Sequence, residues 1–299
     1  MHNNFYSPKY WPAWIVVGLL WLCAQLPYKL LLGLGKCIGL LMYHCSGKLK
    51  HIAQVNLNLC FPELNAAARE KLLKDNFIAL GISIFESALA WFGSQKKIKR
   101  LANFHNLEYL DETKKSGRGL ILLGAHFVTL ELAGRMATLN RKFAIVYREH
   151  KKPFINFLIT KIFRRYCDQL IERKNVRAML KTLKQGGIIW YTPDIDAGYY
   201  HNVFVPFFGV LASTITAPAR MAQFTNAKVL LTSFYRRDDG TGYDLIGVPA
   251  FENFPSGEIE KDITYVNQIL EQAIRKKPEQ YLWQYKRFKS RPAGEKRFY

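Results

Sequence analysis

Tyr10 to Tyr28 reads YWPAWIVVGLLWLCAQLPY, 19 residues without a charge. As one helix this run would reach about 28 Å at about 1.5 Å per residue, close to the ~30 Å hydrocarbon thickness of a bilayer. Trp11, Trp14 and Tyr28 fall near its ends, where amphipathic aromatics prefer the membrane–water boundary. Pro12 suits a first helical turn. The pattern predicts an N-terminal transmembrane helix. The run is aromatic-rich and lacks a small-x-small cleavage site, which argues against a cleaved signal peptide. A buried helix of a soluble domain is the plainer alternative. The next apolar stretch, KLLLGLGKCIGLLMYHCSGKLKH, is interrupted by Lys36. It suits a segment lying along the interface or covering a domain.

Beyond it the apolar period changes repeatedly. From about Lys48 to Lys99 the spacing is helical, with Leu72, Leu73, Phe77, Leu80, Ile84 and Phe85 in register and Asn65 as N-cap. GRGLILLGAH then reads as a buried strand with a loop behind it, KFAIVYRE as a second, IIWYTPD as a third and AKVLLTSFYRR as a fourth. Between them PFINFLITKIFRRYCDQL reads as a helix from Pro153, and VRAMLKTLKQGG as a helix stopped by Gly186 and Gly187. TYVNQILEQAIRKKPEQYLWQYKRFK reads as helix to the end of the chain. Strands alternating with helices predict an α/β fold with a largely parallel sheet flanked by helices. No internal repeat, low-complexity tract or linker is visible. The expected division is therefore a membrane anchor over 1–28 and one α/β domain over 29–299.

Charge narrows the partners. The chain carries 43 Lys and Arg against 23 Asp and Glu, a formal net of +20, which favours an anionic partner. Nucleic acid, anionic lipid and an acidic carrier protein all qualify, and no nucleic-acid motif is present. Lys29, Lys36, Lys48 and Lys50 follow the apolar run, and only Lys9 precedes it. The positive-inside rule then puts the bulk of the chain on the cytoplasmic side. The five cysteines have no zinc-site or redox-pair spacing. No metal and no cofactor is expected.

Three of the expected strands end in polar residues, and in open α/β sheets ligands bind beyond the carboxyl ends of the strands. The first supplies His126 and Glu131, the second Tyr147 and Arg148, the third Asp194 and Asp196 in TPDIDAG. Positions five apart on one regular helix point about 140° away from each other. His126 and Glu131 can meet if His126 lies in the loop and Glu131 in the helix it opens. A carboxylate on one imidazole nitrogen fixes the tautomer and frees the other nitrogen as a base. A structural histidine with a solvated first-turn glutamate is the bland reading of the same spacing. Asp194 and Asp196 in a D-x-D pattern admit a metal-nucleotide site of a glycosyltransferase. The basic surface admits a non-enzymatic module that binds membrane or nucleic acid.

A resemblance favours one of these readings. His126 and Glu131 resemble the H-x4-D/E motif of glycerolipid-type acyltransferases. AWIVVGLLWLCAQLPY, VNLNLCFPEL, AHFVTLEL, IIWYTPDIDAG, VFVPFFG and PEQYLWQYKRFK resemble, in this order, segments of the bacterial lipid A late acyltransferases, nearest to the lauroyl branch. The likeness runs from about Tyr10 to Arg291. It implies a glycerolipid-acyltransferase-like fold and a single-pass enzyme of the bacterial inner membrane with its catalytic domain in the cytoplasm. It implies acyl transfer from an acyl carrier protein thioester to a Kdo-containing lipid A precursor, at a hydroxyl of a 3-hydroxyacyl chain. It further implies His126 as base with Glu131 orienting it. Arg165, or its neighbour Arg164, would face the thioester oxygen, with Arg148, Asp194 and Asp196 among the substrate-binding groups. The expected partners are the acyl carrier protein, the precursor and inner-membrane lipids, with no nucleic acid.

Overall fold

The structure, a computed structural model, describes residues 4–299. Residues 1–3 of the expected anchor lie outside the described residues. Five helices come first: α1 (Trp11–Gln25), α2 (Tyr28–Cys45), α3 (Gly47–Cys60), α4 (Ala66–Phe92) and α5 (Gln95–Leu101). The chain then alternates: β1 (Ala102–His105), α6 (Glu108–Lys115), β2 (Leu120–Leu123), α7 (Leu130–Ala137), β3 (Ala144–Tyr147), α8 (Pro153–Phe163), β4 (Gln169–Glu172), α9 (Val176–Lys184) and β5 (Ile188–Tyr191). A hairpin of β6 (Asn202–Phe207) and β7 (Val210–Ile215) follows, then α10 (Ala217–Thr225), β8 (Lys228–Arg236), β9 (Tyr243–Gly247) and α11 (Ile259–Lys276).

Seven strands form one sheet in the order β1-β9-β8-β2-β5-β3-β4. β8, β2, β5, β3 and β4 are parallel. β9 runs antiparallel to β8, and β1 follows β9. The expected α/β class with a mostly parallel, helix-flanked sheet is what the chain forms. Strands covered on both faces need apolar residues at every position, and Leu120, Ile121, Leu122 and Leu123 of β2 are all buried. Ile121 and Leu123 face a core shared with α3, α9 and α11, while Leu120 and Leu122 face α7 and α8.

The fold differs from the sequence expectation in five places. QLIE at the end of the expected Pro153 helix is strand β4, because α8 stops at Phe163. β1, β9 and the β6–β7 hairpin were not foreseen; VFVPFFG, read by resemblance alone, lies in that hairpin and its turn. The C-terminal helix ends at Lys276, ahead of Pro278. Proline removes a donor and disfavours a helical residue before it. Residues 281–291 then form an irregular strap across the domain. Asn65 caps α4 as expected, its side chain accepting from Ala68 N at 2.8 Å.

The charge-free run is not one helix. α1 ends at Gln25 and Pro27 separates it from α2. Fifteen residues reach only about 22 Å. Among the described residues no single helix is long and apolar enough to cross a membrane, although α2 and α3, bent by 91°, pass the test as a pair. α1 and α2 both pack on α4. Trp11, Ile15, Leu19 and Leu22 of α1 are exposed, at spacings that share one helical face. Tyr28, at the start of α2, reaches the interior: its hydroxyl meets that of Tyr243 at 2.8 Å. Tyr243 in turn donates to the buried Glu86, which also accepts from Arg236 Nε at 2.6 Å.

Close approach of α2 and α4 depends on three glycines. A Cβ on Gly35 would fall 2.5 Å from Ile82 Cα, one on Gly39 would meet the Phe77 carbonyl, and one on Gly81 would meet the Gly35 carbonyl. Backbone cannot yield there as a flexible side chain would. Gly39→Val should therefore lower stability by about 1–3 kcal/mol through overpacking. Thermal denaturation of the detergent-purified protein should show a clear fall in Tm, while Gly47→Ala, where nothing lies within 4 Å, should melt near the parent.

Candidate active site

β2 and β5 are neighbours in the sheet, with Leu123 paired to Tyr191. Gly124 N extends the ladder by donating to Tyr191 O at 3.1 Å. Three residues beyond each partner of that last pair lie His126 and Asp194. The two loops leave adjacent strands at the carboxyl edge, and their side chains meet. His126 Nδ1 lies 2.7 Å from Asp194 Oδ1, and His126 N donates to Asp194 Oδ2 at 2.7 Å. Tyr281 of the C-terminal strap donates its hydroxyl to Asp194 Oδ2 at 2.8 Å.

The strap also pairs with the histidine loop. Val128 N donates to Gln280 O and Leu282 N to His126 O, at 2.8 and 3.0 Å. Asn76 Nδ2 holds the carbonyls of Glu279 and Tyr281, and Asn56 Nδ2 those of Trp283 and Tyr285. Residues from α3 and α4 thus fix the segment that fixes Asp194. Asp196 is held separately, accepting from Ser290 N at 2.9 Å and Ser290 Oγ at 3.1 Å.

Asp194 is wholly buried, whereas the His126 side chain keeps 23% of its surface exposed. Burial alone would raise the Asp194 pKa, but the charge and hydrogen bonds of His126, aided by Tyr281, hold it below the ordinary carboxylate value. Burial would likewise lower the His126 pKa, and the Asp194 charge and hydrogen bond raise it instead. Both shifts favour the charged pair. With Nδ1 directed at Asp194, the neutral ring carries its lone pair on Nε2.

The expected partnership of His126 with Glu131 is not formed. Asp194 occupies Nδ1, while Glu131 lies in the first turn of α7, which packs on α4. Burial raises the Glu131 pKa, against the side chains of Trp91 and Ser87 on α4, which lower it. Its Oε2 is buried without a partner, as is the Tyr166 hydroxyl. The charges of Glu131, Arg135 and Arg165 all act on Tyr166. The physical reason for the split is the turn between the two residues: it sends His126 toward β5 and Glu131 toward α4.

The other expected residues fall as follows. Arg148 directly follows β3 and is exposed at the carboxyl edge. Arg164 and Arg165 are exposed beyond the last turn of α8; Arg164 acts electrostatically on Tyr147. Asp194 joins His126, and Asp196 instead anchors the strap. Within the histidine loop the amides of Gly124, His126, Phe127, Val128 and Leu130 are already engaged inside the protein. Sequence reasoning missed Tyr281 and Ser290, and also Arg287. This last residue is buried beside Asp194 and Asp196 and donates to Ser213 O and Thr214 Oγ1, both at 2.7 Å. The signal available was the resemblance of PEQYLWQYKRFK, which marked the segment without giving its roles. Among the described residues no group of three or more His, Cys, Asp or Glu could hold a metal ion.

The family of bacterial lipid A biosynthesis acyltransferases matches residues 1–290 of this chain. The chain is 35% identical over 298 residues to the lipid A biosynthesis palmitoleoyltransferase of Escherichia coli (strain K12), covering 99% of this chain and 97% of that protein. To the lipid A biosynthesis lauroyltransferase of the same organism it is 36% identical over 288 residues, 96% of this chain and 94% of the other. To a lipid A biosynthesis acyltransferase of Haemophilus influenzae it is 36% identical over 294 residues, 97% and 94% of the two chains. Similarity of this extent sets aside glycosyl transfer and a non-enzymatic binding role. A family match over residues 1–290, with relatives at 35–36% identity over nearly the whole chain, makes this protein an acyltransferase and a member of the bacterial lipid A biosynthesis acyltransferase family.

Proposed function

We propose that the protein transfers a fatty acyl chain from an acyl carrier protein thioester to a hydroxyl of a 3-hydroxyacyl chain on the Kdo-containing lipid A precursor, at the cytoplasmic face of the bacterial inner membrane. The observation that carries this reading is the partly exposed His126 with Nδ1 committed to Asp194. The acceptor hydroxyl gives its proton to His126 Nε2 as its oxygen attacks the thioester carbon. The tetrahedral intermediate then expels the carrier's thiolate, which recovers the proton from His126. The products are an ester and a free thiol, and no acyl-enzyme is formed. Asp194 keeps the ring in the required tautomer and stabilises its charged form, and Tyr281 holds Asp194. Glu131, one oxygen of which is buried without a protein partner, shapes the α7–α4 wall of the site from behind. Arg164 or Arg165 remains the proposed cation for the charge growing on the thioester oxygen.

α1 is the proposed membrane contact. Its exposed Trp11, Ile15, Leu19 and Leu22 favour lipid, and its length favours insertion into the near leaflet over a full crossing. The basic surface adds attraction to anionic lipid, about 1 kcal/mol for each Lys or Arg close to it. In this reading residues 1–28 still serve as the anchor of a cytoplasmic domain, and nucleic acid is not a partner.

His126→Ala should fold and remain on the membrane while turnover falls about 10²–10⁴-fold. Near-normal turnover of the purified variant would sink the mechanism. The two carboxylates separate by pH profile. Asp194 raises the His126 pKa, and the base must be neutral, so activity falls as pH drops through that pKa. Asp194→Asn should lower turnover and move the acid limb of the rate profile to lower pH. Glu131→Gln should lower turnover and leave the limb in place. A shifted limb in the Glu131 variant, with none in the Asp194 variant, would return Glu131 to the role of orienting group.

For the membrane contact, the double variant Leu19→Glu, Leu22→Glu should release much of the protein from washed membranes at high salt, conditions the parent resists. Equal retention of both proteins would show that this face does not meet lipid.

A further inference from the structure

Beyond the ends of β3 and β4 lies a cavity of about 560 Å³ that the chemistry above does not use. Arg148, Lys151, Arg173 and Lys174 line it. Arg148 is the first residue after β3 and Arg173 the first after β4. Arg173 N donates to Tyr147 O at 2.8 Å, which keeps the two strand ends side by side. Among the described residues none of these four cations has a carboxylate within ion-pair distance. The wall also contains two carboxylates, each hydrogen-bonded to a neighbouring residue of the wall. Glu149 Oε1 accepts from Asn156 Nδ2 at 3.2 Å, and Glu172 Oε2 from Lys174 N at 2.7 Å. The first turn of α8, through Pro153, Asn156 and Phe157, closes another side, and a helix N-terminus adds positive potential. Four cations against two carboxylates leave the cavity with a net positive charge and a concentration of donors suited to an anion.

Its position points to the source of that anion. β3 and β4 stand two and three strands from β2, so at about 4.8 Å per strand the cavity lies about 10–14 Å from the histidine loop along the same edge. The charges of Arg148 and Arg173 both act on the Tyr285 phenol, as does that of Asp196, so the strap that holds Asp194 lies within electrostatic reach of the cavity. Phe5 lines the cavity and stacks on Phe157 at 4.8 Å between centroids. It belongs to the segment leading into α1, whose outer face is apolar and exposed. An amphiphile reaching His126 from that side would bring its headgroup to this level.

We propose that the cavity is a phosphate subsite, seating a phosphate ester on the headgroup of a phosphorylated glycolipid acceptor while the acceptor's hydroxyacyl arm reaches His126. This rests on the acyl-transfer reading of the site. Two arginine forks and two ammonium groups match a phosphate better than a single carboxylate, because each guanidinium can pair with two oxygens at once. A headgroup phosphate and an acyl-chain hydroxyl of one glycolipid lie several bonds apart, which is the offset that cavity and histidine provide.

The test measures binding, not turnover, with full-length protein and lipid A in detergent micelles, either phosphorylated or treated with phosphatase. Removing the phosphates should weaken binding to the parent protein about tenfold or more. The double variant Arg148→Gln, Arg173→Gln should bind both forms alike, at the parent's affinity for the dephosphorylated one. Arg173→Lys, which keeps the charge and loses the fork, should fall between. Equal weakening of both lipid forms by the double variant would mean diffuse surface charge and overturn the proposal. Weakened binding of acyl carrier protein bearing its phosphopantetheine arm, with lipid binding intact, would assign the cavity to the donor and overturn it as well. Because no turnover is read, loss of the His126 mechanism would leave this result standing, and the reverse.

Discussion

A carboxylate with no exposed surface must be fully hydrogen-bonded, since the effective penalty of burying a charge is several kcal/mol even after relaxation. Asp194 meets that condition with three donors: His126 N, His126 Nδ1 and the Tyr281 hydroxyl. They come from the loop after β2 and from the strap after α11, segments more than 150 residues apart. Neither can settle without the other. The strap depends in turn on Asn56 and Asn76, whose side chains carry its carbonyls. The orientation of one imidazole is thereby made part of the packing of the N-terminal helices against the sheet.

The same constraint explains what could be read in advance. The central strands β2 and β5 are continuous apolar runs, as is the VLL near the start of β8, a pattern that burial on both faces favours. The longer helices have period and caps, as at Asn65 of α4. β4 and β1 are four-residue strands at or near the sheet's edge, QLIE and ANFH, too short and too mixed in burial to have a period of their own. In the candidate site, a strand-end histidine was legible because a titratable group after a buried strand is locally conspicuous. Its partner was not. Glu131 is five residues away and Asp194 is 68, and proximity in sequence favours the carboxylate that does not bond the ring. Only strand order makes β5 the neighbour of β2. Tyr281 was hidden for a further reason: it lies in a segment whose helical period continues past the proline that ends the helix.

The N-terminal run shows the converse case, in which an apolar composition did not make one long helix. Nineteen residues without charge satisfy the length of a span, but Pro27 divides them, and α2 turns to lay Gly35 and Gly39 against Gly81 of α4. Tyr28 is then tied to Tyr243 and, through it, to Glu86 and Arg236 inside the domain. Hydropathy registers the apolar side chains of such a segment. It does not register that small residues on one face let the backbone dock on a neighbour.

The buried pair also sets stability and chemistry against each other along the pH axis. The raised His126 pKa contributes stability that is fully present below the unfolded value of about 6.5 and is lost as pH rises through the folded pKa. The depressed Asp194 pKa contributes stability present above about 3.9 and lost as pH falls through its folded pKa. Both contributions therefore hold together between about pH 4 and 6.5. A general base, however, needs His126 neutral, which happens only above the raised pKa, where its share of stability is fading. In the proposed chemistry the resting enzyme works on the alkaline side of its own electrostatic optimum. Each proton taken from the acceptor moves the pair back toward the charged form that the fold favours, and that gain arises at the step where the hydroxyl becomes a nucleophile.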